Sequence, residues 1–209
     1  LICEADGDDD ALARRFSAFH GALTCRMLDA PDVARFEAFG RALAALNLVP
    51  DESTPRRATK RIREAVDCLF ECLAALAREA GGDGADVVPG ADDLLPVVIF
   101  ATLKARPRRL HAALKFVELY SSEDKMRGEA GFLLTQLSAA AAFLTTLGAD
   151  QLRGVDETAF RELLAGERRT LADPEIRVDV HEADDGEADE VKGSLPGPVA
   201  PALDCAEAK

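Results

Sequence analysis

The sequence predicts an all-α fold, a single bundle of roughly seven helices with a disordered acidic tail. Three observations carry that expectation. Alanine is the commonest residue, 38 of 209; with leucine and arginine it dominates a chain poor in β-branched residues, a helical composition. Apolar residues recur at spacings of three and four through most of the chain. Helix starts are marked by capping residues and prolines, and the one run with strand character, Val97–Ile99, is too short to outweigh its helical surroundings.

Asp10 is placed to cap a first helix from 11 to about 28, with Leu12, Phe16, Phe19, Leu23 and Met27 on one face. Pro31 falls in the first turn of a second helix running to about 47. Thr54-Pro55 opens a third, which buries Ile62, Val66, Leu69 and Leu73 and stops before Gly81-Gly82. The Gly/Asp/Pro-rich stretch 81–90 reads as a loop. It is not a phosphate-binding loop, since no Gly-Lys-Ser/Thr follows. A fourth helix follows Asp92-Asp93; its LLPVVIFATL is apolar all round, so it belongs in the middle. Arg106-Pro107 ends it and starts a fifth, to about Tyr120, with Leu110, Leu114, Val117 and Leu119 inward. Gly128 precedes a sixth, to Leu147, and Asp156 caps a short seventh, to about Ala165. No period of 20–50 residues recurs, which excludes a repeat array.

The charge divides the chain. The net −13 lies in residues 1–10, with five acids and no base, and in 173–209, with eleven acids and three bases. The body, 11–172, balances 22 acids against 22 bases. The reading is therefore a disordered acidic start (1–10), one helical domain (11–172) and a disordered acidic Pro/Gly tail (173–209). A body without basic excess argues against non-specific nucleic-acid binding. Five cysteines, at 3, 25, 68, 72 and 205, make no disulfide framework and point to a reducing, cytoplasmic setting. Cys68 and Cys72 lie one turn apart, but with three histidines in the chain and no second Cys pair they read as core residues, and no metal is expected. Ala130–Ala149 is uncharged over a bilayer's length, yet it carries Gln136 and Ser138 and lacks basic or aromatic anchors. It reads as a central helix. With Leu1 rather than Met at the start, the absence of a signal peptide carries no weight.

Conventional catalysis is not visible. There is no G-x-S-x-G, H-E-x-x-H or G-x-G-x-x-G, and DGDDD lacks the glycine and terminal glutamate of a calcium loop. His111 reads as a structural histidine, and the cluster Arg56, Arg57, Lys60, Arg61, Arg63 as a solvated face interleaved with Glu64 and Asp67. Two places stand out. In Ala91-Asp92-Asp93-Leu94-Leu95-Pro96, Asp93 as N-cap would make Pro96 the third helical residue, where a missing N–H is tolerated. Asp92 would then sit just outside the helix at a loop tip with its carboxylate free. The plainer reading is two acids favouring a helix N-terminus. On the sixth helix, Phe132, Thr135, Ser138, Ala139, Ala142 and Thr146 form one small, weakly polar stripe, beside a core face of Leu133, Leu137 and Leu144. Such a stripe suits either tight packing inside the bundle or the close approach of another backbone.

The combined pattern A-D-D-x-L-P, K-A-x-P, then G-E-x-G-x-x-x-T resembles the vacuolar protein sorting nine (VPS nine) domain family, most clearly from Asp92 to Leu147 and more loosely over 54–166. That family comprises helical guanine nucleotide exchange factors for Rab-five-type small GTPases. The resemblance implies an acidic finger at Asp92 followed by Pro96, and GTPase-binding positions at Phe132 and Thr135. It implies no cofactor, a partner in its GDP or nucleotide-free form, and recruitment to early endosomal membrane. The family's tyrosine is replaced by Phe132, which keeps the ring and loses the hydroxyl. At Arg106 the family more often has Asn. Two alternatives stand beside exchange: a GTPase-binding member with weak or lost exchange, favoured by Phe132, and a plain helical scaffold.

Overall fold

Short-range capping chemistry sets two of the helix starts, those of the third and the last helix. The computed structural model describes residues 2–80 and 91–166, less the side chains of 2–5, 91, 92, 123 and 125. The segment 81–90 and the tail 173–209, expected as loop and disordered tail, lie outside the described residues. The helices are α1 (Ile2–Phe19), α2 (Glu37–Leu48), α3 (Pro55–Glu79), α4 (Ala91–Ala105), α5 (Leu110–Tyr120), the single turn α6 (Glu123–Met126), α7 (Glu129–Thr146) and α8 (Glu157–Ala165). Seven of them run two turns or more, as expected, and no strand occurs among the described residues. The Thr54 hydroxyl accepts the Arg57 N–H at 3.4 Å to open α3, and Asp156 accepts the Ala159 N–H at 2.7 Å to open α8. Gly128 stands before α7 with φ 82° and ψ −141°, backbone that only glycine adopts without strain.

The core is built around α4 and α7. From Val97 to Leu103 every residue of α4 is buried, as its all-round apolar character predicts. Leu133, Leu137 and Leu144 of α7 are buried too, and the two helices pack directly on each other. Around them α2 and α3 form an antiparallel hairpin: Arg35 pairs with Glu79 and Arg41 with Glu71, so one helix descends as the other rises. Phe39 of α2 stacks on Phe100 of α4 at 5.6 Å, and Phe19 of α1 on Phe160 of α8 at 5.3 Å. Each large side chain so buried contributes about 1.5–3 kcal/mol. Cys68 and Cys72 are core residues as expected; burial pushes both thiols up from their ordinary range. No helix among the described residues is long and apolar enough to cross a membrane.

Expectations fail at the start and end of α1, at the start of α2, and at Leu119, which is exposed rather than inward. The start is not disordered: α1 begins at Ile2, and Asp10 lies inside it rather than capping it. Its neighbour Asp9 is buried and accepts the N–H groups of His111 at 2.7 Å and Ala112 at 3.0 Å, capping α5 from another helix. The α5 position that would normally cap, Arg109, is left-handed at φ 56° and offers no side-chain bond. The second correction is the end of α1, at Phe19 rather than about 28. There the Lys104 ammonium donates to the carbonyls of His20 at 2.6 Å and Leu23 at 2.9 Å, a cation at a helix C-terminus. Third, α2 starts at Glu37 rather than around Pro31; the intervening loop is held by buried Ala30 and Val33.

Asp9→Ala should therefore cost about 2 kcal/mol, because two partly buried N–H groups lose a charged acceptor. Urea unfolding measures it. An unchanged midpoint would show that the acidic start contributes nothing to the fold.

Candidate functional site

The outward face of α7 is the first feature that sets a site apart from a core. Phe132 is 39 % exposed, a large apolar ring left in water. Thr135, Ala139, Ala142 and Thr146 are also exposed, one or two turns apart on the same side. Of the two roles open to this stripe, packing inside the bundle is thus excluded; only Ser138, at its margin, is half-buried. Thr135 donates its hydroxyl hydrogen to the Gly131 carbonyl at 2.8 Å.

Gly131 explains how α7 begins. A Cβ added there would lie 1.9 Å from the carbonyl oxygen of Met126, so the α6 turn rests directly on the first turn of α7. Glycine in a helix interior costs about 0.5–1 kcal/mol relative to alanine, and this close approach is the return. The sequence carried the signal, a second glycine three residues after Gly128, without showing what approached it. Arg63 of α3 pairs with Glu129 beside it, and the ion pair holds the Glu129 carboxyl below its usual range.

The other candidate segment opens α4. Ala91 is its first residue, so Asp92 lies in the first turn rather than outside the helix, and Asp93 is not the N-cap. An acid there is favoured by the positive end of the helix dipole. Pro96 becomes the sixth helical residue and is half-buried. The bond its missing N–H removes is the one to the Asp92 carbonyl, at the end of the helix rather than its middle. The Asp92 side chain lies outside the described side chains. The structure brings Phe132 and Thr135 together on one face, and places Asp92 and Pro96 on the helix that packs against α7. Arg106, just past α4, is left-handed at φ 54°, a conformation in which Asn is several-fold enriched; the resemblance expects Asn there.

His111 and part of the basic cluster on α3 make internal contacts. His111 Nε2 lies 3.0 Å from the Thr145 hydroxyl, whose own hydrogen goes to the Ala141 carbonyl, so the ring donates. Arg61 pairs with Glu52 and Glu64 and Lys60 with Glu64, the solvated face expected of the basic cluster. Among the described residues no group of three or more His, Cys, Asp or Glu is placed to hold a metal ion.

The family model for the Vacuolar sorting protein 9 (VPS9) domain matches residues 39–149, more than half of the chain. The chain belongs to the VPS9 domain family. Vacuolar protein sorting-associated protein 9A of Arabidopsis thaliana is 30% identical over 116 residues, covering 54% of this chain and 22% of that protein. Vacuolar protein sorting-associated protein vps901 of Schizosaccharomyces pombe is 33% identical over 67 residues, 32% of this chain and 12% of that protein. GTPase-activating protein and VPS9 domain-containing protein 1 of Homo sapiens is 26% identical over 148 residues, 68% of this chain and 10% of that protein. The chain thus spans about a fifth or less of the length of these relatives. The activity of VPS9 domains is guanine nucleotide exchange on Rab-type GTPases. All of the described candidate site residues fall inside the matched range, and so does the α6–α7 contact.

Proposed function

We propose that this VPS9 domain promotes GDP release from a Rab-five-type GTPase, with Asp92 as an acidic finger and Phe132 and Thr135 as the docking face. The observation that supports it is the exposed Phe132–Thr135 face on a helix whose opposite side is core. GDP is retained in a GTPase by Mg²⁺ and by a P-loop lysine on its phosphates. A carboxylate delivered there competes for the lysine and repels the phosphates, while the α7 face holds the switch region open. Exchange then follows from differential affinity: the domain binds the nucleotide-free state more tightly than the loaded one. Pro96 stiffens the start of α4 behind Asp92. The names of relatives, which speak of vacuolar protein sorting and receptor-mediated endocytosis, support recruitment to early endosomes.

A second reading, a module that docks without exchanging, is favoured by Phe132 itself, which lacks the family's tyrosine hydroxyl. Release of a fluorescent GDP from Rab-five-type GTPases separates the two. Native protein should accelerate release, and Phe132→Tyr should raise the rate by about two- to tenfold, the worth of one added interfacial hydrogen bond. Binding without acceleration by the native protein would establish the docking module instead.

A further inference from the structure

Between α5 and α6 lies a short link that exchange does not use. Ser121 and Ser122 both have extended backbone, at φ −92°, ψ 144° and φ −73°, ψ 147°. Tyr120 before them is 70 % exposed, and Glu123 and Asp124 follow in the sequence. Half-buried Ser121 lines a hollow of about 240 Å³ together with Thr54 and Arg56 from the start of α3 and Met126 of α6. Arg56 is exposed, and no ion pair or hydrogen bond among the described residues engages its guanidinium. The first turn of α3 holds Arg56 and Arg57 and no acid, while Glu52, just ahead of it, is committed to Arg61. Two cations thus stand at the positive end of a 25-residue helix, an arrangement that an arriving anion relieves.

From this we infer that Ser121 is a phosphorylation site and that Arg56 receives its phosphate. A serine in extended backbone with acids following suits a protein kinase whose substrate groove is basic. In the transfer Ser121 Oγ attacks the γ-phosphorus of Mg·ATP, and the bond from that phosphorus to the β–γ bridging oxygen breaks. The hydroxyl proton passes to the kinase's base and ADP leaves. The product carries a charge of about −1.5 to −2 at pH 7 and three acceptor oxygens, which the Arg56 fork binds by charge-assisted hydrogen bonds. The phosphate then ties the α5–α6 link to the start of α3. Met126 borders the same hollow, and its carbonyl oxygen is the atom packed against Gly131. The tie therefore braces the turn on which α7 begins. Nothing in this site requires the exchange reading.

The test incubates the native chain with Mg·ATP and an acid-directed serine/threonine kinase and reads the product by mass. One phosphate should be added; Ser121→Ala should take up none, and Ser122→Ala should still take it up. Phosphoserine installed at 121 during synthesis should raise the melting midpoint by about 2–4 °C. It should also slow hydrogen exchange about threefold or more at the Met126 N–H, which bonds the Ser122 carbonyl at 3.2 Å. In Arg56→Gln, shown to melt like the native chain when unmodified, the same phosphoserine should produce neither change. No uptake by the native chain, or uptake that survives Ser121→Ala, overturns the assignment of Ser121. A phosphoserine that leaves the native chain unchanged, or stabilises Arg56→Gln equally, overturns the role of Arg56.

Discussion

Replacing Asp92 by alanine is expected to slow catalysed GDP release at least tenfold, about 1.4 kcal/mol in the barrier. The mechanism assigns this carboxylate a role that the α7 face cannot take. Phe132 and the small residues after it are uncharged. Glu129, the acid near them on α7, is already paired with Arg63. The loss should appear in the rate at saturating exchange factor rather than in complex formation, because the docking face is untouched. Stability should hardly change, since an acid in the first turn of a helix contributes only about 0.3–1 kcal/mol. Asp92→Asn should resemble alanine, as it keeps size and hydrogen-bonding capacity and loses the charge. An unchanged release rate with Asp92→Ala would sink the assigned role.

The second large effect comes from one substitution made at two places. Gly40 and Gly131 both lie inside helices, α2 and α7. At Gly40 an added Cβ meets nothing within 4 Å, so Gly40→Ala should stabilise by about 0.5–1 kcal/mol, the helix-propensity difference. At Gly131 the same methyl meets the Met126 carbonyl oxygen at 1.9 Å, and backbone must move to admit it. Overpacking of that kind costs about 1–3 kcal/mol or more, which outweighs the propensity gain, so Gly131→Ala should destabilise by about 1–2 kcal/mol. It should also slow GDP release, because the turn that must shift carries Phe132 and supplies the carbonyl that orients Thr135. Paired thermal melts decide it. A stabilised Gly131→Ala would mean that the α6 turn yields freely and positions nothing.

What was legible in the sequence was what is decided locally. The caps at Thr54 and Asp156 reach three residues along the chain, and the glycine at 128 announces its own backbone angle. The all-round apolar α4 declared its central place without any partner being known. What was not legible depends on contacts between distant segments. Asp9 looked like part of a solvated acidic run because its acceptor role is defined by amides 102 and 103 residues away. The end of α1 is likewise set by a lysine 84 residues on. The start of α4 lies three residues earlier than expected: a Pro96 confined to the first turn puts the helix boundary past Asp92, whereas the fold tolerates the proline one turn later.

At the site the same division holds. Helical spacing put Phe132, Thr135, Ala139, Ala142 and Thr146 on one face, and it also separated Leu133, Leu137 and Leu144 onto another. It did not tell which face was covered, since a run of Ala, Thr and Phe suits a helix–helix contact as well as a docking surface. Exposure decided that. The close approach at Gly131 needed the turn through Gly128, which brings α6 back against α7, and no spacing rule contains it. The departure at Phe132 is visible in the sequence alone, and its consequence for rate is chemical rather than architectural.

The central claim is that this domain favours the empty GTPase over the loaded one, and the most direct measurement is the ratio of two dissociation constants. A Rab-five-type GTPase is titrated with the native chain once stripped of nucleotide and once loaded with GDP and Mg²⁺. The account predicts binding at least about 100-fold tighter to the stripped form, about 2.7 kcal/mol of differential affinity. Equal affinity for the two forms would contradict it, because a ligand indifferent to two states displaces neither, however tightly it binds.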